Sequence, residues 1–252
     1  MRIPWPQSAA HGSFARIFDY FKRLSEIRVA QERIAMPLSL VIANKAYSSW
    51  SFRPWILMRH FEIPFDEIVI PLAREETRTE ILRHTPNGKC PALRDGEILV
   101  WDSLAIIEYL ADLYPEIAIW PKDKAARAEA RSLSAEMHSG FTGLRSHLPM
   151  NLRRAVKKRD LTPEAAADVV RLEAAFGEAR KRFGAGKAFL FGDFCAADAM
   201  FAPVVNRLHI YEAPVDAATR SYMDAVMALP AWQDWSKAAQ AEEWKIEKYD
   251  VI

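Results

Sequence analysis

The sequence predicts an α/β domain followed by an all-α domain, and three observations carry that prediction. Short β-branched runs alternate with helical patterns only as far as residue 114. The segment PEIAIWPKD (115–123), with prolines toward each end, then interrupts the pattern. Beyond it, long Ala-rich stretches keep helical periodicity without strand-like alternation. The expected bounds are an extension over 1–35, the α/β domain over 36–114, a linker over 115–122 and the helical domain over 123–252.

Each element follows from its residues. LSLVIAN (38–44) is short, aliphatic and β-branched, as a buried strand requires. SFRPWILMRHFEI (51–63) turns helical, with Pro54 placed in a first turn that needs no N–H from it. FDEIVIPL (65–72) gives a second strand, and EETRTEILRH (75–84) a helix that stops before Pro86. After the loop TPNGK, CPALRDGEILVW (90–101) reads as two strands turning at Asp95-Gly96. DSLAIIEYLADLY (102–114) is an amphipathic helix that Asp102 can cap. The order βαβ then αββα is a thioredoxin-like arrangement. In the second domain, 124–148 and 163–183 are the clearest helical stretches.

Composition excludes several classes of function. The chain has 252 residues, half of them hydrophobic, which suits packed globular cores. Its 34 Lys and Arg balance 33 Asp and Glu to a net charge of +1, with no basic stripe for a nucleic acid. No apolar run approaches the ~20 residues of a membrane span. Cys90 and Cys195 form no CxxC pair and have no His cluster at metal-ligand spacing, which fits a reducing compartment and implies no metal. Residues 1–35 keep helical spacing from Phe14 through Ile17, Phe18, Phe21 and Leu24 to Ile27. A docking helix, a transit-like leader and a start at Met36 all fit that stretch.

The run KAYSSWSFRPW (45–55) gathers three serines where a strand hands over to a helix. Hydroxyls at a helix start can cap it, and Ser49 or Ser51 would serve; equally, they can hold an anion. YSSWSFRPW, NGKCPAL and WDSLAIIEYLADLYPE resemble, in order and spacing, the N-terminal domain of the glutathione transferases, in particular the zeta-like, serine-type bacterial branch. FLFGDFCAADAMFAPVVNRL is similar to the helix-capping segment of that family's all-helical C-terminal domain. The likeness runs from about Leu38 to Trp235.

The resemblance implies the glutathione transferase fold, glutathione as co-substrate, a small electrophile as the other substrate, and a homodimer in the cytoplasm serving detoxification. It places Ser48 at the catalytic serine, with Ser49 as runner-up. It implies a cis bond before Pro91, where the backbone of Cys90 pairs with glutathione, Lys89 near the glycyl carboxylate, and Asp102 and Ser103 at the γ-glutamyl end. Asp102 is shorter than the Glu or Gln usual there and can be a plain helix cap; Cys90 can be simple packing and Lys89 a surface charge. Trp50, Met137, Phe141 and Arg145 are expected to wall the electrophile pocket, the last three on one helical face at i, i+4, i+8, or to be helix-packing core beside a surface arginine. Asp198 reads as the structural arm of a capping box whose cap is Cys195 where Ser or Thr is usual. The reaction would be conjugation, or isomerisation of an unsaturated acid as in maleylacetoacetate isomerases. An inactive binding or regulatory relative is the alternative from another class. A thiol reductase would want a cysteine where this chain has Ser-Ser-Trp-Ser.

Overall fold

A computed structural model describes residues 37–250; the helical pattern between Phe14 and Ile27 lies outside the described residues. One sheet has the order β2-β1-β3-β4, with β1 at Leu38–Ala43, β2 at Phe65–Ile70, β3 at Ala92–Asp95 and β4 at Ile98–Trp101. β1 is parallel to β2 and antiparallel to β3, and β3 and β4 form a hairpin. The parallel pair needs a crossover, which α1 (Ser49–His60) supplies. The hairpin loop is Gly96-Glu97, and Gly96 takes φ +56 as a two-residue turn requires.

Alternation along β1 sends Leu40 and Ile42 into the main core, with Phe52 and Ile56 of α1 and Ile107 of α3 (Ser103–Leu113). Val41 points the other way, into a smaller cluster with Ile70, Ala92 and Ile81 of α2 (Thr77–Leu82). The sheet is thus covered on both faces in the thioredoxin-like manner.

Seven helices complete the described chain: α4 (Lys124–Ser139), α5 (Thr142–His147), α6 (Pro163–Phe183), α7 (Ala196–Ile210), α8 (Ala217–Met227), α9 (Pro230–Ala241) and α10 (Glu247–Asp250). Asp123, Thr162 and Asp216 cap α4, α6 and α8 through side-chain oxygens. α7 is buried all round from Ala196 to Leu208, so it is the axis on which the helical part packs. Phe52 and Trp55 of α1 meet Trp235 of α9 at ring distances of 4.8 and 4.9 Å. One core therefore runs from the sheet into the helices.

α1 starts two residues earlier than the sequence reading, because Ser48 is its cap. Pro54 is consequently its sixth residue, inside the helix and beyond the first turn.

Candidate active site

Strand register decides which loops meet. Val41 faces Ala92 and Ala92 faces Trp101, so the end of β1, the start of β3 and the end of β4 share one edge of the sheet. The serine loop after β1, Cys90-Pro91 before β3 and Asp102-Ser103 after β4 are brought together there. The Cys90–Pro91 peptide bond is cis.

The serine loop is held from both parts of the chain. The Asn44 carbonyl accepts from the N–H groups of Tyr47 and Ser48 at 3.2 and 2.8 Å, winding the loop toward α1. The Glu242 carboxylate accepts from Lys45 N–H and Ala46 N–H at 2.6 and 3.0 Å, and burial holds that carboxyl above its ordinary range. The Tyr47 hydroxyl donates to Asp250 at 2.8 Å and accepts from Arg153. At the helix start, the Ser51 N–H donates to Ser48 Oγ at 3.4 Å, while the Ser48 and Ser51 hydroxyls share a 2.8 Å hydrogen bond. Ser49 is the first residue of α1.

These residues border a cavity of about 670 Å³. Tyr47, Ser48, Ser49 and Trp50 form one wall, Gly88, Lys89 and Cys90 a second, and Arg145, Met150 and Arg207 a third; Tyr249 adds to the rim. Among the described residues its charged wall residues are Lys89, Arg145 and Arg207, and no carboxylate lines it. Trp50 lies between the guanidiniums of Arg53, 4.3 Å from its ring centroid, and Arg145, at 4.7 Å. Arg53 is fully buried, and its Nε and Nη1 have no hydrogen-bond partner among the described residues. Burial first, then repulsion from Arg207 and Arg145, presses its pKa down to about 9. Arg207 donates to the carbonyls of Leu148 and Pro203, and burial brings it to about 10. Among the described residues the site is a concentration of positive charge, offset in part at Arg53 by the Asp102 carboxylate.

Asp102 sits at φ +81, a strained backbone for a non-glycine residue. Its Oδ1 accepts from Leu104 N–H at 2.8 Å and Ala105 N–H at 3.4 Å, capping α3, and its Oδ2 lies 3.1 Å from His138 Nε2. Ser103 Oγ is buried without a hydrogen-bond partner among the described residues, and neither Asp102 nor Ser103 lines the cavity. Burial pushes the Cys90 thiol up to about 12, so it stays protonated.

Of the residues expected in the electrophile pocket, Trp50 and Arg145 line the cavity, while Met137 and Phe141 are buried elsewhere in the core. The shared helical face that joined Met137, Phe141 and Arg145 does not exist. α4 stops at Ser139, where Gly140 N–H closes onto Glu136 O and leaves no room for a Cβ, and Phe141 turns left-handed at φ +53. Sequence reading missed Arg207, Met150 and Tyr249. Arg207 was the detectable one, as a cation in the apolar helix VVNRL. Asp198 accepts from Leu190 N–H and Cys195 N–H at 3.2 and 2.9 Å inside the core. Among the described residues no group of three or more His, Cys, Asp or Glu side chains could hold a metal, and no helix is long and apolar enough to cross a membrane.

Residues 47–113 match the family description "Glutathione S-transferase, N-terminal domain", and residues 162–238 its C-terminal counterpart. Glutathione S-transferase Z2 of Arabidopsis thaliana is 29% identical over 202 residues, covering 75% of this chain and 89% of the relative. A probable maleylacetoacetate isomerase of Caenorhabditis elegans is 34% identical over 98 residues, 38% of this chain and 45% of the relative. Among solved structures, a Burkholderia glutathione transferase homologue with bound glutathione superposes with a TM-score of 0.64 at 23% identity, over 82% of this chain and all of that one. Both domain descriptions match in order, over a sheet and a helical bundle that meet at the serine loop, and the chain belongs to the glutathione S-transferase family of enzymes.

Proposed function

We propose that the protein activates glutathione through Ser48, with Ser49 beside it, and delivers the sulfur to a small electrophile that carries a carboxylate. The observation behind this reading is the cavity wall, where both serines open onto a space whose charged side chains, among the described residues, are all cations. Bound glutathione supplies a nucleophilic thiolate. A thiol with a pKa near ~8.5 is mostly protonated at neutral pH, and a charge-assisted hydrogen bond of about 1.5–3 kcal/mol lowers that by about 1–2 units. The start of α1 adds a smaller push through its dipole.

Residues 36–114 would hold the tripeptide. Lys89 suits its glycyl carboxylate and the backbone of Cys90 before Pro91 its middle; the unpartnered Ser103 hydroxyl, buried outside the cavity lining, would take its γ-glutamyl carboxylate once uncovered. Asp102 has one carboxylate oxygen spent on the cap, so an ammonium would share the other with His138. The part from residue 123 onward gives the electrophile Arg145 and Arg207, beside Trp50. That chemistry favours an unsaturated acid, conjugated or isomerised, and agrees with relatives named glutathione S-transferase Z2 and probable maleylacetoacetate isomerase. A cytoplasmic homodimer with a role in detoxification fits the same reading, since both cysteines are free thiols and Ile98 and Trp101 stand exposed on the edge strand β4. No cysteine occupies the serine loop, which argues against a thiol reductase.

The test is a matched pair of electrophiles, an α,β-unsaturated acid and its uncharged amide, assayed with glutathione. A charged hydrogen bond predicts at least about tenfold higher kcat/KM for the acid, falling toward parity in Arg145→Gln. Glutathione binding without turnover of either would favour the inactive binding protein.

A further inference from the structure

Ser51 is 0% exposed, and its Oγ accepts the Ala43 N–H at 3.0 Å. The same oxygen stands 2.8 Å from Ser48 Oγ. Two hydroxyl protons share that single contact, so one of them lies between the oxygens and the other needs an acceptor elsewhere. Ser51 has no other oxygen in hydrogen-bond range among the described residues, whereas Ser48 opens onto the cavity. A buried donor without an acceptor is costly, and an exposed one is not. The arrangement that satisfies both hydroxyls has Ser51 donating to Ser48 and the Ser48 proton turned outward.

We infer that Ser51 is a positioning residue that fixes the direction of a hydrogen-bond chain, from Ala43 N–H through Ser51 and Ser48, and so aims the Ser48 hydroxyl proton at the sulfur. The inference rests on the serine reading above and deepens it. Ser48 keeps its proton throughout; the thiol proton leaves to solvent, and the thiolate accepts a hydrogen bond already pointed at it. Each donor in such a chain polarises the next. The Ser49 hydroxyl has no partner among the described residues, so nothing aims it, and this geometry selects Ser48 over Ser49.

The test reads the thiol directly, by pH titration of the ultraviolet thiolate absorbance of glutathione bound to the full-length protein, independently of turnover. Ser48→Ala should raise the pKa of the bound thiol by about 1–2. Ser51→Ala should raise it by about 0.1–0.6, the share that a polarising donor contributes to one hydrogen bond. The double variant should match Ser48→Ala alone, because Ser51 acts only through Ser48. Should Ser51→Ala fail to fold, Ser51→Cys keeps a similar side chain with a weaker donor and should still move the pKa upward. Folded Ser51 variants with the parent pKa, or a double variant whose rise is the sum of the two singles, would overturn the relay. Ser48→Ala with no effect would instead bring down the serine reading itself.

Discussion

Ser48 and Cys195 occupy the same local position, each the cap of a helix at the centre of the fold, and their surroundings give them opposite work. Ser48 borders a cavity and has a second hydroxyl behind it. Cys195 is 3% exposed, burial holds its thiol well above the ordinary range, and its N–H is answered by Asp198 within the core. Both caps start a helix. The difference lies in what stands opposite, ligand space in one case and packed side chains in the other, so a capping residue becomes a site only where its remaining hydrogen-bonding capacity meets an opening.

The largest effect should come from the closed cap. Asp198→Ala strips the acceptor from two buried N–H groups and should cost about 3 kcal/mol or more, read from denaturant midpoints. Burial, outweighing the backbone donors from Cys195 and Leu190, raises the Asp198 carboxyl from its ordinary 3.8 to about 6. A carboxyl raised on folding favours the folded state while protonated. Its contribution is therefore full below about pH 4, declines as pH rises to about 6, and is flat above, a span of about 3 kcal/mol for the difference between those two values. Midpoints from pH 4 to 7 should fall more steeply in the parent than in Asp198→Asn, and parallel slopes would refute this.

At the open cap, Ser48→Ala should cost about 1–3 kcal/mol, since it removes the cap and the acceptor of the buried Ser51 hydroxyl, while cutting turnover at pH 7 by about tenfold as the thiol pKa rises. Ser49→Ala should do less; the reverse ranking would exchange their roles. Ser103→Ala should weaken glutathione binding by about 1–2 kcal/mol with the saturated rate nearly unchanged, as for uniform binding, and wild-type affinity by calorimetry would remove Ser103 from the site. The smallest effect brings the two caps together. Cys195→Ser replaces a weak sulfur acceptor by an oxygen and should stabilise by about 0.5–1 kcal/mol. A loss of stability at unchanged m-value would make Cys195 a packing residue.

Much of this organisation is visible in the sequence, because strand order alone assembles the site. Once LSLVIA, ALRD and ILVW are paired, Ser48, Pro91 and Ser103 must share one edge of the sheet. The capping serine was harder to identify, since three serines within four positions satisfy the same preference and only backbone geometry separates Ser48 from Ser49 and Ser51. That ambiguity also displaced Pro54 from its expected first turn. Periodicity across 137–145 misled because Gly140 and the left-handed Phe141 break the helix, although the Ser-Gly pair was a warning. The clamps on the serine loop from Arg153, Glu242 and Asp250 join residues about a hundred to two hundred positions apart, and no local pattern encodes them.

The central claim is that Ser48, aimed by Ser51, holds the sulfur. A crystal structure of the protein with glutathione bound tests it most directly. The predicted result has the sulfur in hydrogen-bond contact with Ser48 Oγ, and the Ser48–Ser51 and Ser51–Ala43 contacts intact. A sulfur seated on Ser49 or beside Cys90, with Ser48 Oγ turned away, would contradict it.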